Sequence, residues 1–399
     1  MLKHMTAKAK MAAGVTSGWL TRKIFLTTLF TSAVRYWKAH DKAISTLLLL
    51  LVLIVFKGFG QNDTINASAL KADSLKESFS FFGSDKLLEV SLRFDITTFL
   101  KKNPKSAPLD AIMIFHLSET DSMDRKVSLK YRGEYRYRTC TFPPIQLNFK
   151  KPIRIYPDSG KMKKFKLVTH CNPGDVYDDY VLREYLVYKL YNVLTDTSFR
   201  VRLLRINYID TGRERKPITQ YGLILEPIDG LAKRTGCTVV KATNLTQKYL
   251  IPTSIDRMAI FNYMIANWDW SIPGRHNVAI VVPKNISYSG LGIAIPFDFD
   301  LAGVVDAKYG FPAPETGLSS NRDRLFTGIC RSKEVYEARL KEFLAMKESF
   351  YSVINEFPYL NQKSKKDMTI FLDGFFGKIE KGRNLDNLVY EFLNNCKKL

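Results

Sequence analysis

Asn267-Trp-Asp-Trp-Ser-Ile-Pro-Gly-Arg-His-Asn-Val-Ala-Ile280, followed by Ile295-Pro-Phe-Asp-Phe-Asp-Leu-Ala-Gly303, decides how this chain is read. Asp269 falls in a loop, and Asn277 opens the apolar run Val278–Val282. Asp298 and Asp300 close a second apolar run, Leu291–Phe297. Short apolar runs bounded by turn residues read as strands. Paired as a hairpin, they carry the Asn and the first Asp to one end. A loop carboxylate there can accept or orient the proton of an attacking hydroxyl. An amide oxygen and a carboxylate are hard ligands for Mg²⁺, which takes few protein ligands and completes its shell with phosphate oxygens. Asp269 is therefore the candidate base and Asn277 and Asp298 the candidate metal ligands. Asp300 is a further ligand candidate on the same strand face. Each also has a plainer use: Asp269 suits a cap on the Pro273-Gly274 turn, and Asp298 and Asp300 suit loop acids.

Upstream, Leu88, Val90, Leu92, Phe94 and Ile96 alternate with polar residues, the period of a half-buried strand. Ala111–Phe115, Val127–Tyr137, Ile145–Phe149, Phe165–Val168, Val201–Ile209 and Tyr221–Ile228 are expected as strands. Pro143-Pro144 separates Val127–Tyr137 from Ile145–Phe149, and a basic turn, Lys161–Lys164, precedes Phe165. Val181, Leu182, Tyr185, Leu186, Leu190, Val193 and Leu194 share one helical face, with Asp178 or Asp179 as its cap. Downstream, helices are expected over Ile255–Asn267, Lys333–Phe350, Lys365–Gly377 and Leu385–Cys396. The fold class expected is α+β with two lobes, divided near residues 228 and 229.

The first half supplies partners for the acidic set. Lys166 is placed on a strand to neutralise α/β-phosphates. Glu184, on the following helix, is placed to hold Lys166 by an ion pair, and Asp179 and Arg183 compete for it. Glu226 ends a strand and suits either the nucleotide base or an arginine.

In order, Lys130-Tyr-Arg-Gly133, Lys166-Leu167, Tyr221-Gly-Leu-Ile-Leu-Glu226, Asn267-Trp-Asp269, His276-Asn277 and Pro296-Phe-Asp-Phe-Asp300 resemble the motifs of the spore coat protein H (CotH) kinase family. The likeness spans about residues 127–303. It implies an atypical protein-kinase-like fold, with a β-rich N-lobe at about 87–228 and a helix-rich C-lobe at about 229–399. It also implies ATP with Mg²⁺ or Mn²⁺ and a protein hydroxyl as acceptor, with Arg132, Lys166 and Glu226 on the nucleotide. Asp269, Lys166 and Glu184 are then catalytic, and Asn277, Asp298 and Asp300 hold metal. The chain departs from ordinary kinases: Arg132-Gly133 offers one glycine in place of three, and no His-Arg-Asp triplet is present. Arg136-Tyr-Arg-Thr-Cys-Thr-Phe-Pro-Pro144 reads as a basic platform over phosphates or as a turn with a structural cysteine.

The chain has 399 residues, 46% hydrophobic, enough for a sizeable core, and a net charge of +21. Such a balance attracts anions without selecting among them. Residues 1–60 are basic and contain Leu47-Leu-Leu-Leu-Leu-Val-Leu-Ile-Val-Phe56, too short for the ~20 residues of a spanning helix. This segment reads as a signal peptide or an N-terminal anchor, and residues 61–86 as a linker. An exported chain is expected, periplasmic, at the cell surface or extracellular, with membrane association through the N-terminal segment. The five cysteines have no CxxC spacing, and their pairing is open, with at least one left over.

Two other functions compete. Asp298-Phe-Asp300 is a DxD, the element with which metal-dependent glycosyltransferases hold a nucleotide-sugar, but the first half lacks a Rossmann-like alternation. The other is a non-catalytic envelope or surface binding protein. Nucleic acid is not expected, because the charge is spread out and no recognition motif is present.

Overall fold

The computed structural model describes residues 79–101, 107–157, 160–284, 291–380 and 382–398. The expected leader, including Leu47–Phe56, and most of the linker lie outside the described residues. No helix among the described residues is long and apolar enough to cross a membrane.

Seven strands form a closed barrel: β1 (Leu88–Phe94), β2 (Leu109–His116), β3 (Ser122–Tyr131), β4 (Ile145–Arg154), β5 (Lys161–Val168), β6 (Val201–Asp210) and β7 (Ile218–Leu225). The order around it is β1-β2-β3-β4-β5-β7-β6. β1 pairs antiparallel with β2 and parallel with β6, Val90 lying opposite Phe115 on one side and Ile206 on the other. That second pairing closes the sheet and makes it mixed.

The two-lobed protein-kinase-like fold, with its β-rich N-lobe and helix-rich C-lobe, is therefore corrected to a closed seven-stranded mixed barrel plus helices. The physical reason lies in burial. Inward residues such as Val90, Leu92, Phe115, Leu129, Leu147, Phe165 and Ile206 fill the barrel around Phe81. On β6 and β7 the other face is buried as well: Leu203, Leu223 and Leu225 pack against a long helix, α3 (Asp175–Leu194). Gly222 allows this double packing, because a Cβ there would meet Ile206 Cδ1 at 2.6 Å and the Val168 carbonyl at 3.0 Å.

Two short helices come first, α1 (Ile96–Lys101) and α2 (Tyr135–Thr139). The second corrects the expected strand Val127–Tyr137, which ends at Tyr131. The expected basic turn Lys161–Lys164 is strand, paired with β4. α3 begins at Asp175, so Asp178 is inside it. Its carboxylate accepts from the Tyr221 N–H at 2.6 Å and from Arg205 at 3.0 Å, tying the helix to β6 and β7.

Beyond the barrel lie α4 (Ile228–Arg234), α5 (Pro252–Met264) and a three-stranded sheet, β8 (Cys237–Val239), β9 (Val278–Pro283) and β10 (Ile293–Pro296), in the order β10-β9-β8. The helices α6 (Lys333–Ala345), α7 (Lys347–Asn355), α8 (Gln362–Glu380) and α9 (Gly382–Asn395) follow. The single helix expected over Lys333–Phe350 breaks at Met346. All these helices share one apolar core with α3. Two disulfides form, Cys140–Cys171 and Cys330–Cys396, and Cys237 is free and buried.

Candidate functional site

The hairpin β9–β10 registers Val278 against Pro296, so the residues just outside it, Asn277 and Phe297, face each other. The Phe297 N–H donates to the Asn277 carbonyl at 3.0 Å. Asn277 and Asp298 both have left-handed backbones, at φ 51° and 66°. Asn and Asp are the non-glycine side chains that adopt this region most readily, so each can turn the chain sharply at the strand end. The Tyr188 hydroxyl of α3 anchors Asp298 by accepting its N–H at 2.8 Å.

The Asp269 loop folds onto this end. The Asn267 side chain accepts the Asp269 N–H at 3.3 Å, a local turn that presents the carboxylate. The Asn277 Nδ2 donates to the Asp269 Oδ2 at 2.8 Å, and His276 Nε2 lies 2.7 Å from Oδ1. Burial raises the Asp269 pKa, while the hydrogen bonds from His276 and Asn277 oppose that rise. His276 belonged to the motif read from sequence but carried no role there.

From the barrel, β5 brings Lys166. Its Nζ lies 4.4 Å from the centre of the Phe297 ring. Burial, with Arg132 nearby, brings its pKa down to about 8. Arg132, just past β3, sits 3.6 Å from the Asp298 carboxylate.

The Lys166–Glu184 ion pair expected from sequence is not among the contacts of the described residues. Glu184 is 1% exposed, and its Oε1 has no hydrogen-bond partner. Burial and then the charges of Asp300 and Asp298 raise its pKa well above the ordinary carboxylate range, against the pull of Arg136. Asp300 is also buried, with its Oδ2 unpartnered and 3.8 Å from Arg136 Nε. Its pKa is pushed up to about 6 by burial, partly offset by Arg136. Arg136, on α2, donates to the Thr169 carbonyl at 2.5 Å and is buried beside Tyr309. The Tyr135 hydroxyl donates to the Tyr309 carbonyl. The one sequence signal for Arg136 was its place at the head of the stretch Arg136–Pro144.

Lys166, Arg132, Glu184, Asp269, Asn277, Asp298 and Asp300 thus meet at one end of the barrel. Glu226 does not join them. It is 1% exposed, and its carboxylate accepts from Tyr156 at 2.7 Å, from the Arg200 N–H at 3.0 Å and from Arg234 at 2.9 Å.

Among the described residues no three His, Cys, Asp or Glu converge as a ready cage for a metal ion. The donor set nonetheless fits a hard divalent cation that keeps several non-protein ligands. Asp298 is 30% exposed with Arg132 as its ion-pair partner, and the Asn277 Nδ2 is engaged with Asp269, leaving its Oδ1 for a cation. No protein-family model matches the chain, and a comparison with characterised proteins finds no match.

Proposed function

We propose that this chain is an exported, metal-dependent phosphotransferase that moves a phosphoryl group from ATP to a protein Ser/Thr hydroxyl. The observation that carries the reading is the junction of Asp269, Asn277 and Asp298 at the hairpin end, with Lys166 over Phe297 beside it. Phosphoryl transfer asks a protein chiefly for positioning and charge neutralisation, and these residues offer both. Asp298 and the Asn277 Oδ1 would hold Mg²⁺ or Mn²⁺, which when bound neutralises charge on the β- and γ-phosphates. Lys166 and Arg132 supply cationic groups to the remaining phosphate oxygens. Asp269 orients the acceptor hydroxyl and takes its proton at a carboxylate oxygen. The acceptor oxygen–phosphorus bond forms as the bond from the γ-phosphorus to the β-bridging oxygen breaks, releasing ADP. The two disulfides suit an oxidising compartment, as export requires.

The test is transfer of labelled phosphate from ATP with Mg²⁺ or Mn²⁺ by the full chain and by Asp269→Ala. A loss of ~10²–10⁴-fold in the variant, with its melting temperature kept, is expected for a base of this kind. Equal transfer by both, or none by the wild type, contradicts the reading.

A further inference from the structure

Arg136 stands where the acidic cluster is most buried. The charges of Asp300 and Asp298 reach Glu184, and Arg136 lies within reach of all three carboxylates, 3.8 Å from Asp300. Two of the three, Glu184 and Asp300, are more than nine-tenths buried with an oxygen lacking a hydrogen-bond partner. The guanidinium Nε is likewise buried and unpartnered, 3.8 Å from the Asp300 Oδ2. Its position is fixed from both ends of its helix. Arg136 itself donates to the Thr169 carbonyl at 2.5 Å, and the Cys140–Cys171 disulfide fastens the residue that ends the helix to the segment leading into α3.

Two places in the cluster present carboxylate oxygens: Asp298, beside Asn277, and the pair Asp300 and Glu184, each with a buried oxygen that lacks a hydrogen-bond partner. On the second side a positive charge already stands. A divalent ion placed there would face a guanidinium in a medium that screens poorly. Arginine does not lose its proton in proteins, so it cannot withdraw that charge. On the first side Arg132 is more exposed, and its ion pair is with Asp298.

We infer that Arg136 is a built-in counter-ion that takes the place of a second metal, so that the site binds one divalent cation, held by Asp298 and Asn277, and Asp300 is not one of its ligands. The inference rests on the phosphotransferase reading, and it deepens that reading by assigning the metal stoichiometry and a positioning role to Arg136.

The full chain is titrated with Mn²⁺ in the presence of a non-hydrolysable ATP analogue, and bound ions per chain are counted from the magnetic-resonance signal of free Mn²⁺. One ion per chain is expected for the wild type and two for Arg136→Met, which keeps the side-chain bulk without the charge. Two ions on the wild type, or a single ion on folded Arg136→Met, overturn the inference. Asp300→Ala supplies an arm that leaves Arg136 intact: it should keep the one ion, with affinity within about threefold of wild type. Loss of that ion in Asp300→Ala would make Asp300 a ligand and also overturn the inference. A wild type that takes up no Mn²⁺ with the analogue overturns the phosphotransferase reading itself, and the inference falls with it.

Discussion

At the scale of single residues, burial separates those available to a ligand from those already committed to the protein. Glu226 was legible as a strand-end acid suited to a nucleotide base or an arginine, and the fold gives it the arginine. Tyr156, Arg200 and Arg234 use both of its oxygens. Breaking a buried pair of this kind leaves an uncompensated charge, so Glu226→Ala should cost roughly 3–5 kcal/mol. Urea unfolding measures it, and an unchanged midpoint would contradict the structural role. His170 is a second case. It is 1% exposed, stacks at 4.8 Å on Phe142, and neither ring nitrogen has a hydrogen-bond partner. Burial, then the Arg136 charge, brings its pKa down to about 3. The unfolded chain protonates this histidine below about 6.5, and the native state does not until much lower pH. The unfolded state therefore binds more protons in that window, and stability falls as pH drops from about 6.5 toward 3, by at most ~1.4 kcal/mol per pH unit from this group. His170→Phe should flatten that part of the stability–pH curve, whereas equal slopes for variant and wild type would contradict it.

At the scale of elements, local pattern was a good guide and local sequence a poor one for contacts across the chain. Alternation gave the strand at Leu88, and apolar spacing gave the helix through Leu186. The hairpin that joins Asn277 to Asp298 was legible because its two strands are close in sequence. Arg136 was not, because α2 has only five residues, and its importance comes from Asp300 and Glu184, far along the chain. Cysteine spacing left the pairing open, and the fold supplied it. The Cys140–Cys171 link spans 31 residues of sequence. In the chain-entropy description, closing a loop of that size is worth about 4 kcal/mol. Replacing both cysteines by serine should lower the melting temperature and also shift metal–nucleotide binding toward a second ion per chain, because α2 carries Arg136. Replacing Cys330 and Cys396 should lower the melting temperature alone. Equal effects of the two pairs on nucleotide binding would contradict the role given to α2.

At the scale of the whole molecule, the sequence reading failed at closure. Most barrel strands pair with their neighbours in sequence, but the β5–β7 and β1–β6 pairings that close the barrel join strands that are not consecutive, and no local pattern encodes them. The parallel contact of β1 with β6 joins segments more than a hundred residues apart. An open lobe would leave β1 an edge with unpaired N–H groups. In the barrel it has none, so the amides of Leu88–Phe94 should exchange hydrogen as slowly as those of β6, on the scale of global unfolding. Fast exchange along β1 would contradict the closed sheet. The closed barrel also gives the site a rigid base, since Lys166 and the strand end at Tyr131, next to Arg132, belong to the barrel while Asp269, Asn277 and Asp298 come from beyond it. The measurement that tests this arrangement most directly is thermal melting of the full chain with ATP and Mg²⁺ or Mn²⁺, beside Asp298→Ala. A ligand that binds the folded state alone stabilises it by ~2.7 kcal/mol at a hundredfold excess over its Kd. A rise in melting temperature that needs both metal and nucleotide, and vanishes in Asp298→Ala, is the expected result. An equal rise in the variant, or no rise with either metal, would contradict the site.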